Sequence, residues 1–259
     1  MELESKIQGF LTKNASAKNI DGYVNSYKDN IFENIEEKYF LNDLLEGAGK
    51  ELNSKFKALW SSSALVVNNF VPFIKNLEKI RIENNIFQKG NFERKLSTGL
   101  GGKPPHIDFS LENNELILGF ESKFLETLRK TEAKFSNSYF TLNYLNNEFF
   151  ELIEKYNGKI QYLDTAQLLK HSIGLINYCK NFNKKAILYY IYWTPKNWNI
   201  FIEYKTHEKE LEIFSKELNS LNILEFKSIK YIDFWDIYIE NDLMKEHIIN
   251  MKKRYEFIV

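Results

Sequence analysis

The sequence predicts an α/β fold with a mixed sheet, and three stretches carry that expectation. Residues 186–193 form a continuous apolar run of strand length, rich in isoleucine and tyrosine and closed by Thr194-Pro195, as in a strand buried on both faces. Residues 104–123 read as two strands joined by a polar turn at 112–115. Between these stretches, Asp164-Thr165 has the chemistry of a helix cap before an amphipathic segment at 166–181. Strands, then helix, then strand is the order of an α/β core.

The remaining elements follow from spacing. Up to about residue 49 the pattern is helical, with Ile31, Ile35, Tyr39, Leu41, Leu44 and Leu45 recurring among charges and Gly47 and Gly49 ending the run. Ser61, Ser62 and Ser63 are placed to cap a buried helix from about Ala64, which Pro72 should end or kink. Asn68 would be buried there, and its amide would then need partners. Residues 85–98 look extended, with Phe87 and Phe92 flanking a Lys89-Gly90-Asn91 turn. The glycine-rich stretch 97–105 is a connecting loop, since its spacing fits no phosphate-binding signature. A helix is expected over 142–155, stopped by Asn157-Gly158. The C-terminal region should add a charged helix near 205–218, aromatic extended segments to about Tyr238, and a last helix near 243–255.

Composition narrows the class. The chain has 259 residues, 44% hydrophobic and 15% aromatic, enough for one elaborated domain. Lysines and arginines total 35 and acids total 35, so no global basic field advertises nucleic acid and any polyanion site must be local. One cysteine, Cys179, excludes an internal disulfide framework and gives no cysteine-based zinc site. No apolar run approaches the roughly 20 residues of a membrane helix. The charged start, Met1-Glu2-Leu3-Glu4, lacks a signal-peptide core. A cytoplasmic, bacterial protein is the expectation.

The charges on the 104–123 strand pair need an explanation. Leu116, Leu118 and Phe120 share one strand face, so Glu121 and Lys123 emerge together on the other. The plain alternative is an exposed ion pair on an edge strand, worth little energy. A turn symmetric about Asn113-Asn114 would set Asp108 opposite Gly119 and diagonal to Glu121, about 7–8 Å away on the same face. A slip of one residue would send Asp108 to the wrong face. The tripeptide Glu-x-Lys selects nothing by itself, since it also begins at Glu4, Glu36, Glu93, Glu132, Glu203 and Glu225. Only the copy at Glu121 follows a Pro-x-x-Asp strand through a short turn.

This arrangement resembles the PD-(D/E)xK nuclease superfamily, the restriction-endonuclease-like fold, with Asp108 and Glu121-Ser122-Lys123 at the signature positions. More narrowly, the chain is similar to a bacterial family of restriction endonucleases. The blocks that carry this likeness begin at Gly47, Ser61, Phe92, Thr98, Pro105, Glu121 and Gln167, within about 47–192. The resemblance implies a helix, three strands, a helix and a strand as core at about 51–195. A helical extension at 1–50 and an α/β elaboration at 196–259 would complete a single nuclease domain.

It also implies an activity: magnesium-dependent endonucleolytic cleavage of DNA, of restriction or other defence type. Manganese would be able to substitute. Asp108, Glu121 and the Ser122 backbone carbonyl would hold the metal, with Lys123 orienting or deprotonating water. Gln167 would contact the site from the next helix. Glu51, Glu93 and His171 are auxiliary candidates, although a lone helical histidine more often has a structural role. Lys89, Arg94, Lys95, Lys103, Arg129 and Lys130, with Lys134 nearby, are candidates for DNA phosphate. Double-stranded DNA is the expected partner, a homodimer would suit symmetric cleavage, and no membrane partner is expected. Two alternatives remain: a structure-specific repair or recombination nuclease, and a non-enzymatic DNA-binding module on the same fold.

Overall fold

Period-two alternation in the middle of the chain becomes a five-stranded mixed sheet in a computed structural model that describes residues 2–47 and 51–259. The strands are β1 (Lys89–Lys95), β2 (His106–Glu112), β3 (Leu116–Lys123), β4 (Lys185–Tyr192) and β5 (Glu225–Lys230), adjacent in that order. The α-helices are α1 (Glu2–Asn14), α2 (Leu41–Glu46), α3 (Ser62–Lys75), α4 (Asn147–Tyr156), α5 (Thr165–Phe182), α6 (Ile202–Ser220), α7 (Tyr231–Tyr238) and α8 (Lys245–Tyr255).

Strands β1, β2 and β3 pair antiparallel, whereas β4 runs parallel to both β3 and β5. Parallel neighbours need helical crossovers. Here α4 and α5 connect β3 to β4, and α6 connects β4 to β5. β3 is therefore central, and alternate side chains serve two cores. Leu116, Leu118 and Phe120 face α3, where Phe70 stacks on Phe109 with centroids 4.3 Å apart. Ile117 faces the α5 side with Leu175 and Leu188. A Cβ on Gly119 would lie 2.6 Å from Ile107 Cδ1 and 3.3 Å from Leu175 Cδ1, so only glycine lets α5 seat this closely.

Several expectations hold. Ser61 caps α3 by accepting from Ala64 N–H at 3.2 Å, and Asp164 caps α5 by accepting from Gln167 N–H at 2.9 Å. The run at 186–193 is buried from Ile187 onward.

Others are corrected. Residues 15–40 are not helical. They contain a strand pair at Asn19–Ile20 and Tyr23–Val24, then 3-10 turns at Tyr27–Asn30 and Glu37–Tyr39. The first turn is fixed by a capping box between Ser26 and Asp29. Leu3, Ile7, Val24, Ile35 and Phe40 enter the same core as β3, so the N-terminal region is part of the main body. Lys89-Gly90-Asn91 is the opening of β1 rather than a turn. Residues 231–238 are helical because Tyr231, Phe234, Trp235 and Tyr238 bury one helical face.

Pro72 does not end α3, which runs on to Lys75. Proline cannot donate to the carbonyl four residues back. That carbonyl, on Asn68, instead receives His247 Nε2–H from α8 at 2.7 Å. The Asn68 amide is also partnered. Its Oδ1 accepts from Phe32 N–H at 3.0 Å, and its Nδ2 donates to Asn30 O at 3.0 Å and to Tyr255 Oη at 3.3 Å.

Candidate active site

The turn between β2 and β3 sets the site's register. Asn113 Oδ1 accepts from Glu115 N–H at 2.9 Å and Leu116 N–H at 2.8 Å, which puts the tip at Asn114-Glu115. The observed pairs Ser110↔Gly119 and Phe109↔Phe120 differ from the expected register by two residues. An even shift keeps every side chain on its face. Asp108 therefore stays on the Glu121 face but comes directly opposite it, one step beyond the last ladder pair, instead of diagonal. The edge-strand alternative fails, because Glu121 is 0% exposed in the middle of the sheet.

Asp108 accepts the Ser122 backbone N–H through Oδ2 at 2.7 Å. Burial holds its carboxyl well above the usual carboxylate range, the adjacent Glu121 pushes it further, and Lys123 only partly offsets them. Glu121 experiences the opposite balance. Burial works against its charge, but Lys123 and His171 outweigh burial and bring it down to about 2. Its Oε1 pairs with Lys123 Nζ. Lys123 Nζ also donates to Gln167 Oε1 at 2.7 Å. Although burial disfavours that ammonium, Glu121, Asp108 and Glu126 hold its pKa above the ordinary lysine value. That balance favours the charged form of Lys123.

Helix α5 supplies the other wall. Gln167 lies in its first turn and His171 one turn later, so both face β3. His171 is 1% exposed, with Nε2 2.9 Å from Glu121 Oε2, too far inside to be an open phosphate contact. Nε2 thus partners the Glu121 carboxylate, while His171 Nδ1 makes no hydrogen bond within the described residues.

Glu93 and His106 complete the inner cleft. Glu93 lies on β1 between the pairs Phe92↔Phe109 and Arg94↔Ile107, which brings it level with Asp108. Its φ of 46° is a left-handed backbone that a glutamate adopts only under constraint. Glu93 Oε2 is 3.5 Å from His106 Nδ1, and burial followed by the charge of Lys95 lowers the His106 pKa. The sequence reading missed His106 as a site residue. Its signal was the period-two spacing to Asp108. The Glu51 side chain lies outside the described residues.

The cleft has a volume of about 550 Å³ and is lined by Asp108, Lys123, Gln167, Glu93 and His106, with Lys55, Trp60 and Arg129 toward its mouth. Of the basic residues proposed for phosphate, Arg129 reaches the cleft, where its guanidinium is held by Glu4. Lys103 is exposed in the loop before β2. Lys95 donates to Glu46 O at 2.9 Å. Arg94 lies elsewhere: it binds Glu112 Oε2 at 2.8 Å and stacks 4.6 Å from the Tyr178 ring centroid. Lys89, at the opposite end of β1 from Asp108, lines a separate pocket with Arg94. Lys130 sits over Tyr162 at 5.2 Å, and Lys134 pairs with Glu132 at 2.8 Å.

The family model described as "Restriction Endonuclease associating with ARP" matches residues 4–256. The chain belongs to that family. Members carry the name of restriction endonucleases, and the match runs from α1 to just beyond α8. A release factor glutamine methyltransferase from Flavobacterium psychrophilum is 27% identical over 133 residues, covering 51% of this chain. This chain spans only 38% of that protein's length. No solved structure matches. Among the described residues, no helix is long and apolar enough to cross a membrane.

No three His, Cys, Asp or Glu residues among those described converge on one point. Magnesium, however, is bound through one or two carboxylates, with water and phosphate completing its shell. Two facing carboxylates on one sheet face, Asp108 and Glu121, fit that requirement.

Proposed function

We propose that this chain is a divalent-metal-dependent endodeoxyribonuclease of restriction or other defence type that hydrolyses phosphodiester bonds of DNA. Supporting this reading above all is the convergence of Asp108, Glu121 and Lys123 on one sheet face, with Asp108 and Lys123 lining a cleft and Glu121 buried beside them, in a member of a family named for restriction endonucleases.

Asp108 and Glu121 offer hard oxygens to Mg²⁺ or Mn²⁺, with the Ser122 backbone carbonyl as the further ligand that the resemblance implies. The metal, when bound, supplies positive charge to the phosphate oxygens and acidifies water. The protein's own groups do the rest. The Ser122 N–H fixes the Asp108 carboxylate, while Glu121 and Gln167 hold the Lys123 ammonium in place. There it faces charge building on phosphorus as water adds and one P–O ester bond breaks. Glu93 is the auxiliary acid this geometry favours, because it lies level with Asp108 and adds to the pressure on it. His171 backs Glu121 rather than meeting phosphate.

The test is cleavage of plasmid, linear duplex and single-stranded DNA with Mg²⁺, then with EDTA, by wild type and Asp108→Asn. Mg²⁺-dependent cleavage by wild type, absent in the folded variant, is expected. Equal cleavage by folded Asp108→Asn would refute the assignment. Preference for branched or nicked DNA would move the role toward repair or recombination.

A further inference from the structure

Tyr23 and Trp60 stand at the mouth of the same cleft that holds Asp108 and Lys123, and no part of the hydrolytic machinery uses them. We propose that they form a stacking platform for one nucleobase of the strand being cut. The proposal rests on the nuclease reading and names its substrate class: DNA with a nucleotide unpaired, or readily extruded, next to the scissile phosphate.

The platform is built rather than incidental. Asp21 and Gly22 adopt φ of 50° and 80° at the tip of the short hairpin, and Asn19 Oδ1 accepts from Gly22 N–H at 3.2 Å. Gly22 O accepts from Leu59 N–H at 2.9 Å, and Tyr23 bridges antiparallel to Ala58. These bonds fasten the hairpin to the segment carrying Trp60. A Cβ on Gly22 would sit 2.2 Å from the indole, so the hairpin backbone lies against Trp60 and fixes it. The Tyr23 ring meets Trp60 edge-on, with centroids 5.5 Å apart and planes at 77°.

One side of this hairpin is anchored and the other is open. Val24 is 3% exposed, whereas Tyr23 is 48% and Ile20 is 69% exposed. Tyr23 packs one edge on Trp60 and leaves about half its surface open beside the cleft. It has the chemistry to stack on a base, which every nucleotide can offer irrespective of sequence. Lys55 on the same wall supplies a cation for the backbone of that strand. A base inside a duplex is stacked on its neighbours, so one that reaches Tyr23 must have left the helix.

The probe is a DNA flap with 2-aminopurine in its unpaired arm, titrated with wild type, Tyr23→Ala, Tyr23→Phe and Trp60→Leu in Ca²⁺ before any cleavage. Wild type should change the 2-aminopurine emission on binding the flap. Tyr23→Ala should bind the flap roughly 5- to 150-fold more weakly, the worth of one stacked base. Trp60→Leu should blunt the emission change, and Tyr23→Phe should restore both signals. Unchanged affinity and emission in Tyr23→Ala, with Asp108-dependent cleavage intact, would overturn the platform and leave the nuclease standing. Absence of any DNA cleavage by wild type would overturn the nuclease reading and the platform with it.

Discussion

On the α3 side of the sheet, Asn30, Asn68 and His247 are buried with hydrogen bonds from three separate parts of the chain. On the α5 side, Glu121 and His171 are buried as deeply, but Glu121 faces a second buried carboxylate and His171 Nδ1 meets no described donor or acceptor. In the first cluster, Asn30 Nδ2 donates to Phe56 O and Ala58 O, both at 2.7 Å, and Arg254 Nη1 donates to Asn30 O at 3.0 Å. Asn34 Nδ2 donates to His247 Nδ1 at 3.2 Å, leaving Nε2–H for the carbonyl that Pro72 cannot serve. The second cluster sets two carboxylates against each other beneath a strained glutamate. A fully satisfied network fastens the fold. One left with opposed charges has a cost that a cation and a phosphate can relieve, as expected where function rather than stability sets the arrangement.

The contrast can be broken by exchanging the effects. Asp108→Asn should lose at least about 100-fold in cleavage rate, yet its metal-free melting temperature should rise, since a neutral amide replaces one of two opposed buried carboxylates. Calorimetry beside a cleavage assay reads both, and a lower melting temperature would show that the pair is not in conflict. Asn68→Ala should do the reverse. Each buried group it strands costs about 1–3 kcal/mol, and each kcal/mol lowers the melting temperature by roughly 2–4 °C. Its cleavage rate well below that melting point should stay near wild type.

A smaller effect concerns Gln167. Gln167→Ala removes a hydrogen bond that holds Lys123, and about a 10-fold loss in kcat with KM little changed is expected from such a supporting residue. A loss confined to KM would instead place Gln167 on the substrate.

Stability should also depend on pH. Burial holds His247 down to about 4, against the smaller pull of its Asn68 bond, and holds His207 down to about 3, helped by Lys230. Unfolded imidazoles titrate near ~6.5. Both residues therefore contribute stability that is complete above that pH and is lost as pH falls toward their folded values. Urea midpoints from pH 7 to 4 should fall, and a flat profile would show that neither imidazole stays neutral in the fold.

What the sequence made legible was governed by period and caps. Alternation in 104–123 placed Asp108, Glu121 and Lys123 on one face, and Asp164 and Ser61 capped helices where expected. The hairpin register was off by two because the sequence does not reveal whether Asn113 or Asn114 folds its side chain back onto the turn. Pro72 misled because the group that rescues α3 is His247, a tertiary contact far along the chain. Residues 231–238 were misread through their aromatic content, although Tyr231, Phe234, Trp235 and Tyr238 already had helical spacing. The Glu93 conformation left no local signal. No propensity of glutamate encodes it.

The facing carboxylates of Asp108 and Glu121 are proposed as a cation site. Mn²⁺ titrated into the protein with a non-cleavable phosphorothioate DNA, followed by electron paramagnetic resonance of the unbound ion, tests it most directly. Saturable binding by wild type, lost in folded Asp108→Ala, is the expected result. Equal Mn²⁺ uptake by Asp108→Ala, or none by wild type, would contradict it.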